Sequence, residues 1–333
     1  MGFKDIEING FSEKGSWYKG NLHSHTTNSD GVLAPQESAE MFRGAGYSFL
    51  CLSDHDRYSD YRSELNRKDF IIIPGYEASA VCVTDTPEPR AIETHHVNAI
   101  LGTSAMQAAA AEKLPAHLER LPKRVCVGKW NGAKVLASMI EKMTRRGFIA
   151  MYNHPLWSRV HEEEFIGVPG YFAVEVYNYC SVNESGIGED TLHWDMMLRA
   201  GHRVFATATD DNHNLGLFDD ALGGWITVKS ESLTHDDIIS NIIAGNYYSS
   251  SGPEIFGWGV KDGVAYVECG DAARVNFIVG GFVGDGATVI AKNGILRSAE
   301  YKLKGSESYV RAEVVDGNGK TAWTNAIFLD INK

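Results

Sequence analysis

The sequence has no long apolar run and few cysteines. No segment approaches the ~20 consecutive apolar residues of a membrane-spanning helix, so no membrane association is expected. The five cysteines are scattered, odd in number and without a CxxC motif, which favours free thiols in a reducing compartment over a disulfide framework. Met1–Asp5 leads into polar residues and not into the apolar core of a signal peptide. We therefore expect a cytoplasmic location.

An excess of positive charge is also missing. The chain has 31 Lys and Arg against 43 Asp and Glu, a net charge of −12. Because non-specific nucleic-acid affinity comes from clustered Lys and Arg, no nucleic-acid polymer is expected as a partner. A mononucleotide or short oligonucleotide held through metal ions remains open. Nothing in the sequence indicates the oligomeric state.

The 333 residues are enough for one large core, alone or beside a small one. Helices are predicted at Pro35–Ala45, Ala133–Arg146, Glu189–Ala200 and Thr234–Ala244. Seven strands alternate with helical patterns, which predicts an α/β fold with a parallel sheet, and closure into a barrel is expected at this length. These strands are predicted at Trp17–Leu22, Ser48–Leu52, Phe70–Tyr76, Val97–Leu101, Phe148–Tyr152, Phe172–Tyr177 and Val204–Thr209.

The pattern changes at about residue 255, where short alternating strands and glycine-rich turns begin. Asp262-Gly263 and Asp316–Gly319 are strong turn signals. We predict a large α/β domain at 1–254 and a small antiparallel β-sandwich domain at 255–333. The strands of the small domain are predicted at Ala265–Cys269, Val275–Val279, Glu300–Leu303, Tyr309–Val315 and Ala326–Leu329.

Histidines and carboxylates recur where apolar segments end. Two residues at i and i+2 on a strand share a face, so His23 and His25 can reach one ion together, and Asp211 and His213 repeat that spacing. Imidazole and carboxylate are preferred ligands of first-row divalent metals. In a barrel of parallel strands, the C-terminal strand ends share one mouth. The pattern indicates a metal-dependent hydrolase with the candidate ligands His23, His25, Asp30, His55, Glu77, His96, His154, Asp211 and His213.

The motifs, in their order along residues 17–253, resemble those of the PHP (polymerase and histidinol phosphatase) family of metal-dependent phosphoesterases. They are His23-Ser24-His25 followed by Thr26–Gly31, then Ser53-Asp54-His55, Gly75-Tyr76-Glu77, His96-Val97, His154-Pro155 and Asp211-Asn212-His213. The resemblance implies a distorted (β/α)7 TIM-like barrel. The C-terminal segment, with Tyr309–Arg311 and Ala322–Asn325, resembles an extension found in some bacterial members.

The resemblance also implies a trinuclear site of divalent zinc, manganese or iron. The first ion would be held by His23, His25, Glu77 and Asp211, the second by Glu77 as a bridge with His96 and His154, and the third by Asp30, His55 and His213. The implied reaction is hydrolysis of a small phosphomonoester, a nucleotide or a similar molecule, by a hydroxide that bridges two metals.

Several assignments are weaker. His95 competes with His96, which we favour because it directly precedes the apolar run from Val97; His95 is then expected to face solvent or to support a ligand. Asp54 is expected to orient a ligating imidazole. Arg159 is a possible phosphate clamp, with Arg57 as a second candidate, although solvated arginines are common at such positions.

Other functions stay open. A short-oligonucleotide exonuclease or cyclic-phosphate phosphodiesterase needs only a groove beside the same metals. Aromatic side chains that stack on bases would favour it, and the candidates are Trp157, Tyr177 and Tyr179. A catalytically silent, metal-stabilised binding protein is a more remote alternative. Amidohydrolase chemistry is disfavoured because a glutamate, and not a lysine, stands at the bridging position. Specificity is expected to lie in long irregular loops at Val81–Thr94 and Thr103–Trp130.

Overall fold

The computed structural model describes residues 6–292 and 294–329; Met1–Asp5, on which the signal-peptide argument rested, lies outside them. The helices are α1 (Pro35–Gly44), α2 (Arg62–Leu65), α3 (Ser104–Ala108), α4 (Gly132–Arg145), α5 (Pro155–Ser158), α6 (Tyr179–Ser185), α7 (Thr191–Arg199) and α8 (His235–Ile243). The strands before residue 254 are β1 (Glu7–Asn9), β2 (Ser16–Asn21), β3 (Phe49–Leu52), β4 (Ile71–Val83), β5 (Ala91–Leu101), β6 (Arg124–Val127), β7 (Phe148–Tyr152), β8 (Tyr171–Asn178), β9 (Phe205–Thr209), β10 (Trp225–Ser230) and β11 (Tyr247–Ser250). The later strands are β12 (Ile255–Lys261), β13 (Val264–Ala272), β14 (Arg274–Val279), β15 (Ala287–Ile290), β16 (Leu296–Lys302), β17 (Tyr309–Val315), β18 (Thr321–Thr324) and β19 (Ile327–Phe328).

The helix at α4 shows how the sequence pattern becomes structure. The Asn131 side chain accepts a hydrogen bond from the Lys134 amide and caps the helix N-terminus. Val135, Leu136, Met139, Ile140 and Met143 recur at helical spacing and form an apolar stripe, which is buried except at the half-buried Met139. The helix ends just before Gly147, whose φ of 83° is costly for other residues.

Two sheets contain most of the strands. The larger has the order β15-β14-β17-β18-β11-β10-β2-β3-β4-β5-β7-β8-β9, and the smaller has the order β1-β12-β13-β16. Strands β2, β3 and β4 run parallel to one another, as do β7, β8 and β9. The fold is thus mixed α/β, as predicted.

The prediction of a uniformly parallel sheet is wrong at β5, which runs antiparallel to both β4 and β7. The residues between β4 and β5 are only 84–90. Such a short connection joins antiparallel strands, because a parallel return needs a crossover of about a dozen residues or more. Half of the irregular loop predicted at Val81–Thr94 is accordingly strand, since β4 extends to Val83 and β5 begins at Ala91.

The last parallel strand comes back to the first at the edge where the candidate ligands lie. Ser24 and Asn212, just beyond β2 and β9, form a parallel bridge. The His25 amide donates to the Asn212 carbonyl at 3.0 Å, and the Asp211 amide donates to the His23 carbonyl at 3.0 Å. The ends of β2 and β9 are therefore neighbours.

The C-terminal strands form two antiparallel layers. Strands β12, β13 and β16 belong to the smaller sheet, and β14, β17 and β18 belong to the larger one. Trp258, Val267, Phe277 and Val314 are buried in one apolar cluster shared by both layers. Strand β18 also pairs with β11, so the larger sheet continues from the N-terminal part into the C-terminal part.

In the residues that the structure describes, no helix is long and apolar enough to cross a membrane.

Candidate metal centre

Two histidines at the end of β2 and one aspartate at the end of β9 meet in the interior. The Nε2 atoms of His23 and His25 lie 3.2 Å apart. Asp211 Oδ1 lies 3.1 Å from His23 Nε2 and 2.9 Å from His25 Nε2. Both histidine side chains are completely buried. The i, i+2 spacing thus does bring the two imidazoles to one point.

Glu77, in the middle of β4, lies at the centre of the cluster. Its Oε1 atom is 3.3 Å from His23 Nε2, 3.1 Å from His96 Nδ1 and 3.4 Å from His154 Nε2. Its Oε2 atom is 2.7 Å from His55 Nδ1 and 3.6 Å from His25 Nε2. One buried carboxylate therefore contacts five imidazoles from four parts of the chain.

A third group lies nearer to solvent. Asp30 Oδ1 is 3.5 Å from His213 Nε2, and Asp30 Oδ2 is 3.7 Å from His55 Nε2. The rings of His25 and His213 stack with centroids 4.3 Å apart. Potential ligand atoms of Asp30, His25, His55 and His213 all lie within 4.8 Å of one another.

The donor atoms fit divalent cations better than they fit one another. His25 Nδ1, His55 Nδ1 and Glu77 Oε2 are buried without a hydrogen bond, although two of these atoms are only 2.7 Å apart. Buried polar atoms are normally hydrogen-bonded. Lone pairs that converge without hydrogen-bond geometry are the arrangement of metal ligands, and imidazole with carboxylate suits zinc, manganese or iron.

Opposite charges in the cluster shift its pKa values strongly. Burial alone would raise the pKa of Glu77, but the imidazoles of His96, His23 and His55 hold it well below its usual range. Burial together with the charges of His55 and His213 lowers the pKa of His25 to about 4. Burial would also lower the pKa of His213, but its contact with Asp30 raises it to about 9. Cations that bind here must displace protons, so metal affinity decreases as the pH is lowered.

The structure separates the two adjacent histidines on β5. The His96 side chain points to Glu77, as favoured from the sequence. His95 points to the other side and is buried: its Nδ1 lies 2.8 Å from the Tyr152 hydroxyl and its Nε2 lies 3.0 Å from the Gly132 carbonyl. The expectation that His95 faces solvent is therefore wrong, because β5 is covered on that face by the start of α4.

Asp54 supports the site in a different way from the one expected. Its carboxylate accepts hydrogen bonds from the Thr26 amide at 2.8 Å, the Thr26 hydroxyl at 2.9 and 3.0 Å and the Ser29 hydroxyl at 2.9 Å. The side-chain amide of Asn28 donates to the same carboxylate at 3.3 Å. These contacts fix the turn that carries Asp30, where we had expected contact with an imidazole.

Glu175 is a buried residue of the centre that the sequence analysis missed. Its Oε1 atom lies 2.9 Å from His23 Nδ1 and also accepts from the Thr209 hydroxyl. Its Oε2 atom accepts from the His154 amide at 2.9 Å and from Asn178 Nδ2 at 2.8 Å. The available signal was a single acid among the apolar residues of β8.

Two candidate ligands have strained backbones. The φ angles of His154 and Asp211 are 25° and 55°, in the left-handed region that most residues avoid. Such strain persists where surrounding contacts impose it, and it concentrates at functional sites. The bond from the His154 amide to Glu175 is one of those contacts.

A cavity of about 1150 Å³ opens beside Asp30, His55 and His96. Arg57, Arg120, Lys123 and Trp157 also line it. Arg159 is not among the described residues that line the cavity, and its side chain is exposed to solvent. The expectation that Arg159 clamps a phosphate is therefore unsupported, whereas Arg57, the second candidate, does line the cavity.

No protein-family model and no curated protein matches this chain. Among solved structures, it is similar to a two-domain protein from Bacteroides vulgatus described as containing a predicted PHP-like metal-dependent phosphoesterase. That similarity has 11% identity, covers 97% of this chain and 99% of the other, and has a TM-score of 0.45. The chain's structural neighbours thus include a PHP-like protein, the family that the sequence motifs resemble.

Two further solved structures match about two thirds of this chain. One, from Bifidobacterium adolescentis, is provisionally described as a metal-dependent phosphoesterase (16% identity, 69% of this chain and 97% of the other, TM-score 0.42). The other is an amidohydrolase from Chromobacterium violaceum with bound sulfate and no metal (13% identity, 68% and 96%, TM-score 0.41).

Proposed function

We propose that this chain is a PHP-type metal-dependent phosphoesterase that hydrolyses a small phosphomonoester, a nucleotide or a similar molecule. The observation that carries the proposal is the buried Glu77 carboxylate, which contacts five imidazoles from four parts of the chain. We assign three divalent ions to the ligand groups that the family resemblance implies. The buried atoms of His25, His55 and Glu77 that have no hydrogen-bond partner support metal binding by these side chains.

The charge of the ligand set favours phosphate. Three divalent ions would bring six positive charges, and the carboxylates of Asp30, Glu77 and Asp211 supply three negative ones. A phosphomonoester dianion with hydroxide would balance the remainder. A bridging glutamate in place of a carboxylated lysine also favours phosphoesterase over amidohydrolase chemistry.

Residues of the chain orient the ligands and leave one side open. When bound, divalent ions in such a site make water nucleophilic near neutral pH and offset the charge on phosphate oxygens. Glu175 accepts at His23 Nδ1, so that Nε2 faces the centre. Asp54 fixes the turn of Asp30. The cavity beside His96 leaves space for the leaving group, with Trp157 on its wall.

We further propose that β2, β3, β4, β5, β7, β8 and β9 form the distorted seven-stranded barrel. The parallel bridge between Ser24 and Asn212 supports it, because it joins the two outer strands of that order. We keep 1–254 and 255–333 as domains, with the first strand β1 added to the sheet of the second. The expected partner is a small phosphorylated molecule in the cytoplasm.

The test is metal analysis with a screen that measures phosphate release from mono- and bisphosphates and, by chromatography, the products from cyclic phosphates and short oligonucleotides. We expect two to three transition-metal ions per chain. Chelation should abolish phosphate release, and manganese or zinc should restore it. Full turnover in a sample verified to be metal-free would contradict the proposal.

A second candidate is a short-oligonucleotide exonuclease or a cyclic-phosphate phosphodiesterase. The Trp157 ring lies 5.8 Å from His96 and 5.0 Å from His154, centroid to centroid, and lines the cavity, where a base can stack. Tyr177 packs against Trp323 instead, with centroids 5.6 Å apart. Cleavage of a phosphodiester leaves the phosphate on one product, so chromatography of the products decides: faster cleavage of oligonucleotides or cyclic phosphates than of monoesters would favour this candidate. Metal binding without any turnover would favour a silent binding protein.

A further inference from the structure

Two arginines face each other on the wall of the cavity beside the metal centre. Arg57 and Arg120 are directly opposite residues of an antiparallel bridge. The bridge is fixed by hydrogen bonds from the Leu121 amide to the Asp56 carbonyl at 2.7 Å and from the Tyr58 amide to the Glu119 carbonyl at 3.2 Å. Opposite residues of such a pair place their side chains on one face. Both side chains accordingly line the same cavity.

Neither guanidinium has a protein counter-ion in the described parts of the chain. The carboxylates on the cavity wall are already engaged: Asp30 lies among the histidines, and Asp56 accepts from the Ser79 amide at 2.9 Å. Lys123 adds a third cation to the wall. Like charges directly opposite each other on paired strands are destabilising, and no carboxylate among the described residues pairs with either arginine to offset that cost.

We propose that Arg57 and Arg120 bind a second anionic group of the substrate, separate from the phosphate that reacts at the metal centre. The substrate class is therefore a phosphate ester that carries a further phosphate or carboxylate on its leaving group. This inference rests on the proposed phosphoesterase function. Two guanidinium groups suit such a ligand because each can bind anionic oxygens through two parallel N–H donors.

The position and size of the cavity agree with this substrate class. Its lining runs from Asp30, His55 and His96 of the metal centre to Arg57 and Arg120. A volume of about 1150 Å³ exceeds what a phosphate group alone would fill. A substrate can thus place one anionic group at the ions and another at the arginines.

The test compares alkyl phosphates of equal chain length that end in a hydroxyl, a carboxylate or a phosphate, over several chain lengths. We expect kcat/KM to be about 10- to 100-fold higher for at least one doubly anionic series than for the hydroxyl series. The terminal group that gives the higher value tells carboxylate from phosphate. Arg57→Gln and Arg120→Gln should each remove most of this preference.

Arg124→Gln is the matched control. Arg124 is the first residue of β6 and the neighbour of Lys123, but it does not line this cavity, so the Arg124→Gln variant should keep the preference. Calorimetric binding of alkyl bisphosphonates and hydroxyalkyl phosphonates gives a readout that needs no turnover. Equal kcat/KM for singly and doubly anionic esters, or a preference that survives both arginine substitutions, would overturn the inference. If the inference fails in this way but the protein still hydrolyses phosphate esters with metal, the proposed function stands. If no ester is hydrolysed at all, the proposed function itself is wrong.

Discussion

At the scale of single residues, the centre depends most on side chains that serve several partners at once. Glu77 contacts five imidazoles, whereas Asp54 contacts one turn. Glu175 lies between these cases, because it holds the His23 ring and the His154 backbone together. Residues that orient metal ligands typically change metal affinity or activity about 10- to 100-fold when they are replaced.

The first prediction compares Glu77→Gln with Asp54→Asn. We expect Asp54→Asn to lower kcat about 10- to 100-fold, and Glu77→Gln to lower it further, because a bridging ligand serves two ions. Glu77→Gln should also lower the number of bound ions, measured by metal analysis of the same samples. Equal losses of activity in the two variants would contradict this ranking.

The second prediction concerns pH and a histidine far from the ligands. The hydrogen bond from His193 Nδ1 to Asp190 Oδ2, at 2.7 Å, raises the pKa of His193 above its usual 6.5 despite partial burial. Protonated His193 therefore stabilises the folded state. This contribution is complete below the unfolded pKa and is lost as pH rises through the raised folded pKa.

We accordingly expect His193→Gln to lower the free energy of unfolding more at about pH 5.5 than at about pH 9. Denaturant unfolding of both proteins at each pH measures the difference, and effects common to both proteins cancel. A wild-type advantage that is the same at both pH values would rule out this linkage.

At the scale of elements, β2 is placed by close packing against its neighbour. A Cβ atom added to Gly20 would lie 2.1 Å from Cε2 of Phe49, a ring that is completely buried on β3. The same strand leads directly to His23 and His25. Packing at Gly20 and ligand geometry are therefore coupled through a few residues of backbone.

The third prediction is that Gly20→Ala destabilises the protein by about 1–3 kcal/mol and weakens metal binding, because the strand or the ring must move. Gly44→Ala is the control. No atom lies within 4 Å of a Cβ added at Gly44, the last residue of α1, so that change should be neutral or slightly stabilising. Denaturant unfolding and metal titration check both variants, and wild-type stability in Gly20→Ala would refute the packing argument.

Local secondary structure could be predicted from the sequence better than strand direction or tertiary contacts. The stripe of α4 and the spacing of His23 and His25 follow from helix and strand periodicity, so they could be predicted. The direction of β5 could not, because periodicity is identical in parallel and antiparallel strands. Glu175 was missed because its partners come from distant segments. The opposed pair of Arg57 and Arg120 depends on a tertiary bridge that no local pattern encodes.

At the scale of the whole molecule, the C-terminal strands are tied into the N-terminal part. Asn325 Oδ1 accepts from the Ala206 amide, and Asn325 Nδ2 donates to the carbonyls of Gly245 and Tyr247, each at 3.1 Å. Tyr309 donates to Asp195 at 2.6 Å. The guanidinium of Arg311 lies 4.5 Å from the Trp194 ring. Arg311 therefore packs on α7 and lies outside the lining of the substrate cavity.

The fourth prediction concerns deletion of residues 256–333. We expect lower solubility and stability, because the deletion uncovers the edge of β11 and removes the Asn325 contacts. The preferred phosphate should stay the same, because all nine candidate ligands precede residue 214. Size-exclusion chromatography, thermal unfolding and the phosphate-release screen measure these properties. A soluble truncated protein that keeps its metals but prefers another substrate would show that the C-terminal strands belong to the site.

The pairing of β1 with β12 also sets the order of events during synthesis. Glu7 of β1 contacts Lys261 of β12 at 3.1 Å, across a sequence separation of 254 residues. At about 5–20 residues per second, a ribosome needs roughly 13–50 s to make that stretch. Strand β1 therefore waits for its partner β12 while all nine candidate ligands are translated. Its edge stays open to wrong partners in the meantime, so a slower ribosome lengthens the exposure of the nascent chain to aggregation.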